Sequence, residues 1–83
     1  MSAEAELRAK LCDVIVKQLR VSAEDVADDK SFIEDLGADS LDVMELVLLL
    51  EEEFDIAIAD EDAEALKTVG NAFEYIKKRR LAA

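Results

Sequence analysis

The tetrapeptide Ala38-Asp39-Ser40-Leu41 sets one short hydroxyl side chain between a glycine-bearing turn and the long apolar, acid-flanked stretch 41–54. The residue types around it read as a helix start. Gly37 can take the positive φ that other residues resist. Asp39 and Ser40 are both favoured N-cap types, whose side chains satisfy the free amides of a first helical turn. Asp42 adds negative charge near the positive end of the helix dipole. Two chemistries fit Ser40. It can serve as a helix cap, or its hydroxyl can be esterified, since a phosphate there would meet unpaired backbone donors while Asp39 and Asp42 oppose it.

Other chemistry is excluded more sharply. No histidine occurs, which removes the usual general base for a serine or cysteine nucleophile and the commonest zinc ligand. Paired carboxylates such as Asp28-Asp29 and Glu51-Glu52-Glu53 have no evident cleft to drive their pKa values apart and read as solvated. Asp60, Asp62 and Glu64 alternate as in a calcium loop, but Ala65 stands where the loop needs glycine and Asn71 where it needs a bidentate glutamate. No specific metal site and no catalytic residue are expected. Cys12 is single, cannot close an internal disulfide, and reads as a small packed residue.

The elements that must position Ser40 follow from the apolar periods. Leu7, Leu11, Val14, Ile15 and Leu19 recur at helical spacing and predict a first helix over about 3–19. Residues 20–39 lack a sustained period and read as a long structured loop that presents Ser40, with Val21, Val26, Phe32, Ile33 and Leu36 as anchors. The second helix, 41–54, places Val43, Met44, Val47, Leu50 and Phe54 on one broad face, and its apolar middle makes it central. Ile56 and Ile58 read as an extended connector, since a lone strand would have no partner. A short helix over about 61–66 follows, and a last helix starts at the cap Thr68 and buries Val69, Ala72, Phe73 and Ile76. The expected fold is all-α: three longer helices and one short one around one core, with a long first loop, forming one domain over 1–83.

The run from Glu34 through Asp39-Ser40-Leu41-Asp42, continued by Met44-Glu45-Leu46-Val47 and Leu50-Glu51-Glu52-Glu53-Phe54, resembles the acyl carrier protein family. The likeness extends upstream through Lys17-Gln18-Leu19 and Ser31-Phe32, and downstream through Ile58, Asp60-Glu61, Thr68-Val69 and Tyr75-Ile76. It implies a non-enzymatic shuttle whose Ser40 carries a 4′-phosphopantetheine arm, with acyl groups held as thioesters during fatty acid or related lipid synthesis. The implied partners are a phosphopantetheinyl transferase and synthase component enzymes and acyltransferases with basic docking patches. The resemblance assigns partner recognition to Asp39, Asp42, Glu45, Glu51, Glu52, Asp60, Glu61 and Glu64, and an acyl pocket to Phe32, Met44, Leu50, Ile58, Ala63, Leu66 and Ala72. From apolar pattern alone an ordinary packed core is the better reading of those residues, and the resemblance is what turns the preference to a pocket. Two positions depart from the family pattern: Ala59 replaces a proline before the Asp-Glu pair, and Arg20 stands where glycine often ends the first helix. A carrier for peptidyl, D-alanyl or polyketide groups and an unmodified acidic adaptor are the alternatives.

Composition agrees with a folded domain: 52% hydrophobic and 37% charged residues, no proline, and a net charge of −11. The acids concentrate between Glu24 and Glu64, where Lys30 is the only base, while Lys77 to Arg80 form a compact basic end. Such a surface suits either solubility or partners with basic patches, and it disfavours nucleic acid. No cationic leader or run long enough to span a bilayer is visible, so a cytoplasmic monomer without membrane insertion is expected, although a processed organelle protein would read the same.

Overall fold

A computed structural model describes residues 2–81. Four α-helices follow one another: α1 (Ala3–Leu19), α2 (Ser40–Phe54), α3 (Asp60–Ala65) and α4 (Val69–Leu81), with a 3₁₀ turn at Ala23–Asp25 in the first loop. The all-α fold and the element order expected from the apolar periods are present. α1 begins on a Ser2 cap, whose side chain accepts the Ala5 N–H. It ends at Arg20 in the left-handed region, φ 57° and ψ 45°. An L-residue there is about 1–2 kcal/mol less comfortable than in the right-handed helix, which is why glycine is common at this place.

Paired contacts give the packing directions. Lys10 donates to the Glu53 carbonyl at 2.7 Å and Gln18 to the Glu45 carboxylate at 2.9 Å, so α1 and α2 run antiparallel. Glu4 pairs with Lys77 at 3.1 Å, and the Arg8 guanidinium lies 4.0 Å from the centre of the Phe73 ring, so α1 and α4 are antiparallel as well. Between them lies the core, where Leu11, Ile15, Phe32, Leu46, Leu50, Phe73 and Ile76 are almost wholly buried. Each such side chain contributes about 1.5–3 kcal/mol on leaving water.

Within α2 the observed face differs from the expected one. Leu46, Leu50 and Phe54 are buried, with Val43, Val47 and Leu49 partly so, while Met44 is 61% exposed. At 100° per residue, a face centred on the 46–50–54 row turns position 44 outward. Leu41 and Leu48 are likewise exposed, so the helix is not apolar-buried all round.

The long loop is a hydrogen-bonded structure. Phe32 N–H donates to the Lys67 carbonyl, Val69 N–H to Lys30 and Gly70 N–H to Asp28, all within 2.9–3.0 Å, stitching the loop to the start of α4. Ser31 and Thr68 form an isolated antiparallel bridge within this seam. Asp28 also receives the Arg8 guanidinium, which fixes the same loop to α1. The turn that follows closes when Ala38 N–H donates to the Phe32 carbonyl at 2.9 Å, and Gly37 takes φ 75° to allow it. The chain therefore reaches Ser40 from a fixed direction.

Candidate functional site

Ser40 is the first residue of α2, and the cap is Asp39 alone. Asp39 Oδ1 accepts the Asp42 N–H at 2.8 Å, and Asp42 Oδ2 accepts the Asp39 N–H at 3.2 Å, a reciprocal capping box worth about 1 kcal/mol. Ser40 is thus relieved of the capping role that its type also suited. It is exposed, and among the described residues its hydroxyl makes no hydrogen bond. The other serines differ. Ser2 Oγ accepts from Ala5 N–H, Ser22 Oγ from Glu24 N–H and Ser31 Oγ from Glu34 N–H.

Beside Ser40 lies a groove of about 460 Å³. Its walls include Ser40 itself, Phe32 and Ile33 from the loop, Val43 from α2, and Ala63 and Leu66 around α3. Of the expected pocket residues, Phe32, Ala63 and Leu66 line this groove. Leu50, Ile58 and Ala72 are packed in the core beneath, at 1%, 7% and 0% exposure. Met44 points to solvent, and Val43, one residue earlier and about 100° around the helix, takes the groove position. Val43 carried no distinguishing signal beyond being apolar.

The expected acidic residues are not equivalent. Asp39 and Asp42 are engaged in the capping box, and Glu45 accepts from Gln18. Glu51 is half-buried, and its carboxylate accepts the Ile58 N–H at 3.0 Å, holding the connector 56–59 against α2. That structural use competes with any role as a free docking charge. Glu52, Asp60, Glu61 and Glu64 are exposed, and Glu64 stands on the groove wall. Among these acids runs an apolar stripe, of which the sequence placed Met44 on the interior face: Leu41, Met44 and Leu48 are 60%, 61% and 57% exposed at i, i+3 and i+7 of one face. Across the groove, α3 is tied to α4 by Tyr75, whose hydroxyl donates to Asp62 Oδ2 at 2.8 Å and accepts from Arg79 at 2.8 Å. Burial foremost, then the Asp62 hydrogen bond, pushes the Tyr75 phenol up, while Arg79 partly opposes the shift.

An accessible hydroxyl without a hydrogen-bond partner, at a helix N-terminus and in the wall of an apolar groove, suits the attachment of a long, flexible, phosphate-linked arm. A family described as a phosphopantetheine attachment site matches residues 9–76. The fold and the match define a carrier domain whose cofactor is 4′-phosphopantetheine. The acyl carrier protein of Sulfurovum sp. (strain NBC37-1) is 58% identical over 65 residues, covering 78% of this chain and 87% of that protein. The one from Bdellovibrio bacteriovorus is 53% identical over 73 residues, covering 88% and 94%. A solved structure of the acyl carrier protein from Enterococcus faecalis aligns with TM-score 0.76 at 43% identity, over 90% of this chain and 95% of that one. The chain belongs to the acyl carrier protein family.

Proposed function

We propose that the whole chain works as one carrier domain that shuttles acyl intermediates in fatty acid or related lipid synthesis, with Ser40 as the attachment point of 4′-phosphopantetheine. The observation that carries this reading is the state of Ser40: it is exposed, and its hydroxyl is the one serine hydroxyl in the described residues not engaged by a backbone N–H. A phosphopantetheinyl transferase would move the arm from coenzyme A to Ser40 Oγ. When bound, the group supplies a terminal thiol that holds acyl chains as thioesters, and tethering raises their effective concentration at each partner's active site.

The chain's own residues do the rest. The capping box of Asp39 and Asp42 holds the first turn of α2 so that Ser40 is presented rather than frayed. Phe32, Val43, Ala63 and Leu66 shelter an apolar chain from water, each methylene removed being worth about 0.8 kcal/mol. Asp39, Asp42, Glu45, Glu52, Asp60, Glu61 and Glu64 form a negative address for partners with basic patches, and Leu41, Met44 and Leu48 supply the apolar contact at its centre. The chain itself carries out no catalysis. No described helix is long and apolar enough to cross a membrane. In this reading the carrier is a cytoplasmic monomer that meets its enzymes by diffusion.

Incubation with coenzyme A and a broad-specificity transferase tests the assignment by intact mass. The unsubstituted chain should gain one arm and Ser40→Ala none. An arm on Ser2, Ser22 or Ser31, or on Ser40→Ala, would move the site.

A further inference from the structure

α3 is the groove wall that the fold holds least. None of its residues is fully buried, and its N-cap, Ala59, offers no side-chain acceptor to the first turn. Its flanks are fixed instead. Ile58 and Leu66 are buried, Ile58 N–H is held by Glu51, and Lys67 is bonded through its N–H to Asn71 and through its carbonyl to Phe32. Between those anchors, and among the described residues, one side-chain hydrogen bond ties the body of α3 to the bundle, Tyr75 to Asp62. Arg79 donates to the same phenolic oxygen, which leaves the phenol proton directed at Asp62.

The surroundings of this bond give it a purpose. Asp62 and Ala63 are neighbours about 100° apart on the helix, so the carboxylate faces α4 while Ala63 faces the groove. On the α4 side a second cleft, of about 260 Å³, remains between the two helices, with Asp62, Ala65, Tyr75 and the fixed Leu66 among its lining residues. The wall therefore has space behind it, and the Tyr75–Asp62 bond spans that space. A shift of α3 into the cleft would widen the groove at Ala63. We infer that Tyr75 is a positioning residue: with Asp62 it forms a strut that sets the resting width of the groove and so the longest acyl chain the protein shelters. This inference rests on the sheltering role of the groove proposed above.

The test uses two readouts on the full chain. In the unacylated protein, amide order parameters across 60–65 should drop from the rigid range of about 0.85 toward 0.6 in Tyr75→Phe and in Asp62→Ala. Asp62→Asn keeps an acceptor for the phenol and should remain rigid. In the loaded protein, melting temperature is followed against acyl length from acetyl upward. The gain should level off at a longer chain in Tyr75→Phe and Asp62→Ala than in the unsubstituted protein and in Asp62→Asn. Unchanged order parameters overturn the strut whatever the acyl series shows. Loosened α3 with an unmoved plateau overturns its control of chain length, and a uniform loss of melting temperature with the same plateau has that meaning too. If acylation leaves the unsubstituted protein's melting unchanged at every length, the sheltering reading itself has failed and the inference falls with it, an outcome told apart because it needs no substitution.

Discussion

Gly70→Ala puts the loop seam under direct strain. Gly70 lies in the first turn of α4, where replacing glycine by alanine in a helix ordinarily gains about 0.8–1 kcal/mol. Here an added Cβ would come within 2.9 Å of the Asp28 carbonyl oxygen and 3.3 Å of the Asp28 Cβ. The close atom is backbone, and it is the acceptor of the Gly70 N–H. Relief requires the loop to move off α4, which stretches a hydrogen bond worth about 0.5–1.5 kcal/mol and adds an overpacking cost of about 1–3 kcal/mol. After the propensity gain, the net loss should be about 2 kcal/mol. For a domain of this size, a loss of that order lowers Tm by roughly 8–16 °C. Thermal unfolding of the unmodified protein, followed by far-UV circular dichroism at fixed salt, measures it. Because the seam also carries Phe32 on the groove wall, acyl-dependent stabilisation should weaken in parallel. A Gly70→Ala protein as stable as the unsubstituted one, or more stable, would show that helix propensity outweighs the close approach and that the seam is soft.

Arg20→Gly should act in the opposite direction, raising stability by about 0.5–1 kcal/mol in denaturant titrations, because the residue already occupies the left-handed region. With a charge of −11, moderate salt, magnesium or calcium should raise Tm by screening self-repulsion, about 1 kcal/mol reading as roughly 4–8 °C; thermal scans indifferent to all of them would contradict the account. Glu45→Lys and Glu61→Lys should keep the fold and slow association with a transferase or ketoacyl synthase about tenfold at low salt, the difference shrinking as salt rises in stopped-flow measurements. Tyr75 has its folded pKa raised, mainly by burial and then by Asp62, so its contribution to stability is fully present below about pH 10 and is lost as pH rises through the raised value. The stability difference between the unsubstituted protein and Tyr75→Phe should therefore shrink on that alkaline limb, and a constant difference would count against the bond.

The sequence by itself determined the helices, the loop that leads to Ser40 and the family. The reasons are local: the Leu7-Leu11-Ile15 stripe has the helical period, Thr68 accepts the Asn71 N–H as a cap does, and Gly37 needs its positive φ. The strain at Arg20 was also legible, as a side chain standing where a helix end favours glycine. Side-chain chemistry alone could not choose between Asp39 and Ser40 as the cap, because both types suit it; the reciprocal bond to Asp42 decided, and that left the Ser40 hydroxyl free. Nor could periodicity distinguish Met44 from Val43, since α2 is apolar on more faces than the bundle can bury. Only the direction from which α1 and the loop approach turns Val43 to the groove and Leu41, Met44 and Leu48 to solvent. The same holds for Glu51 and Tyr75. Each is an ordinary polar residue in the chain, and each acquires a role because the tertiary fold brings it to a distant partner, the Ile58 N–H in one case and the Asp62 carboxylate in the other.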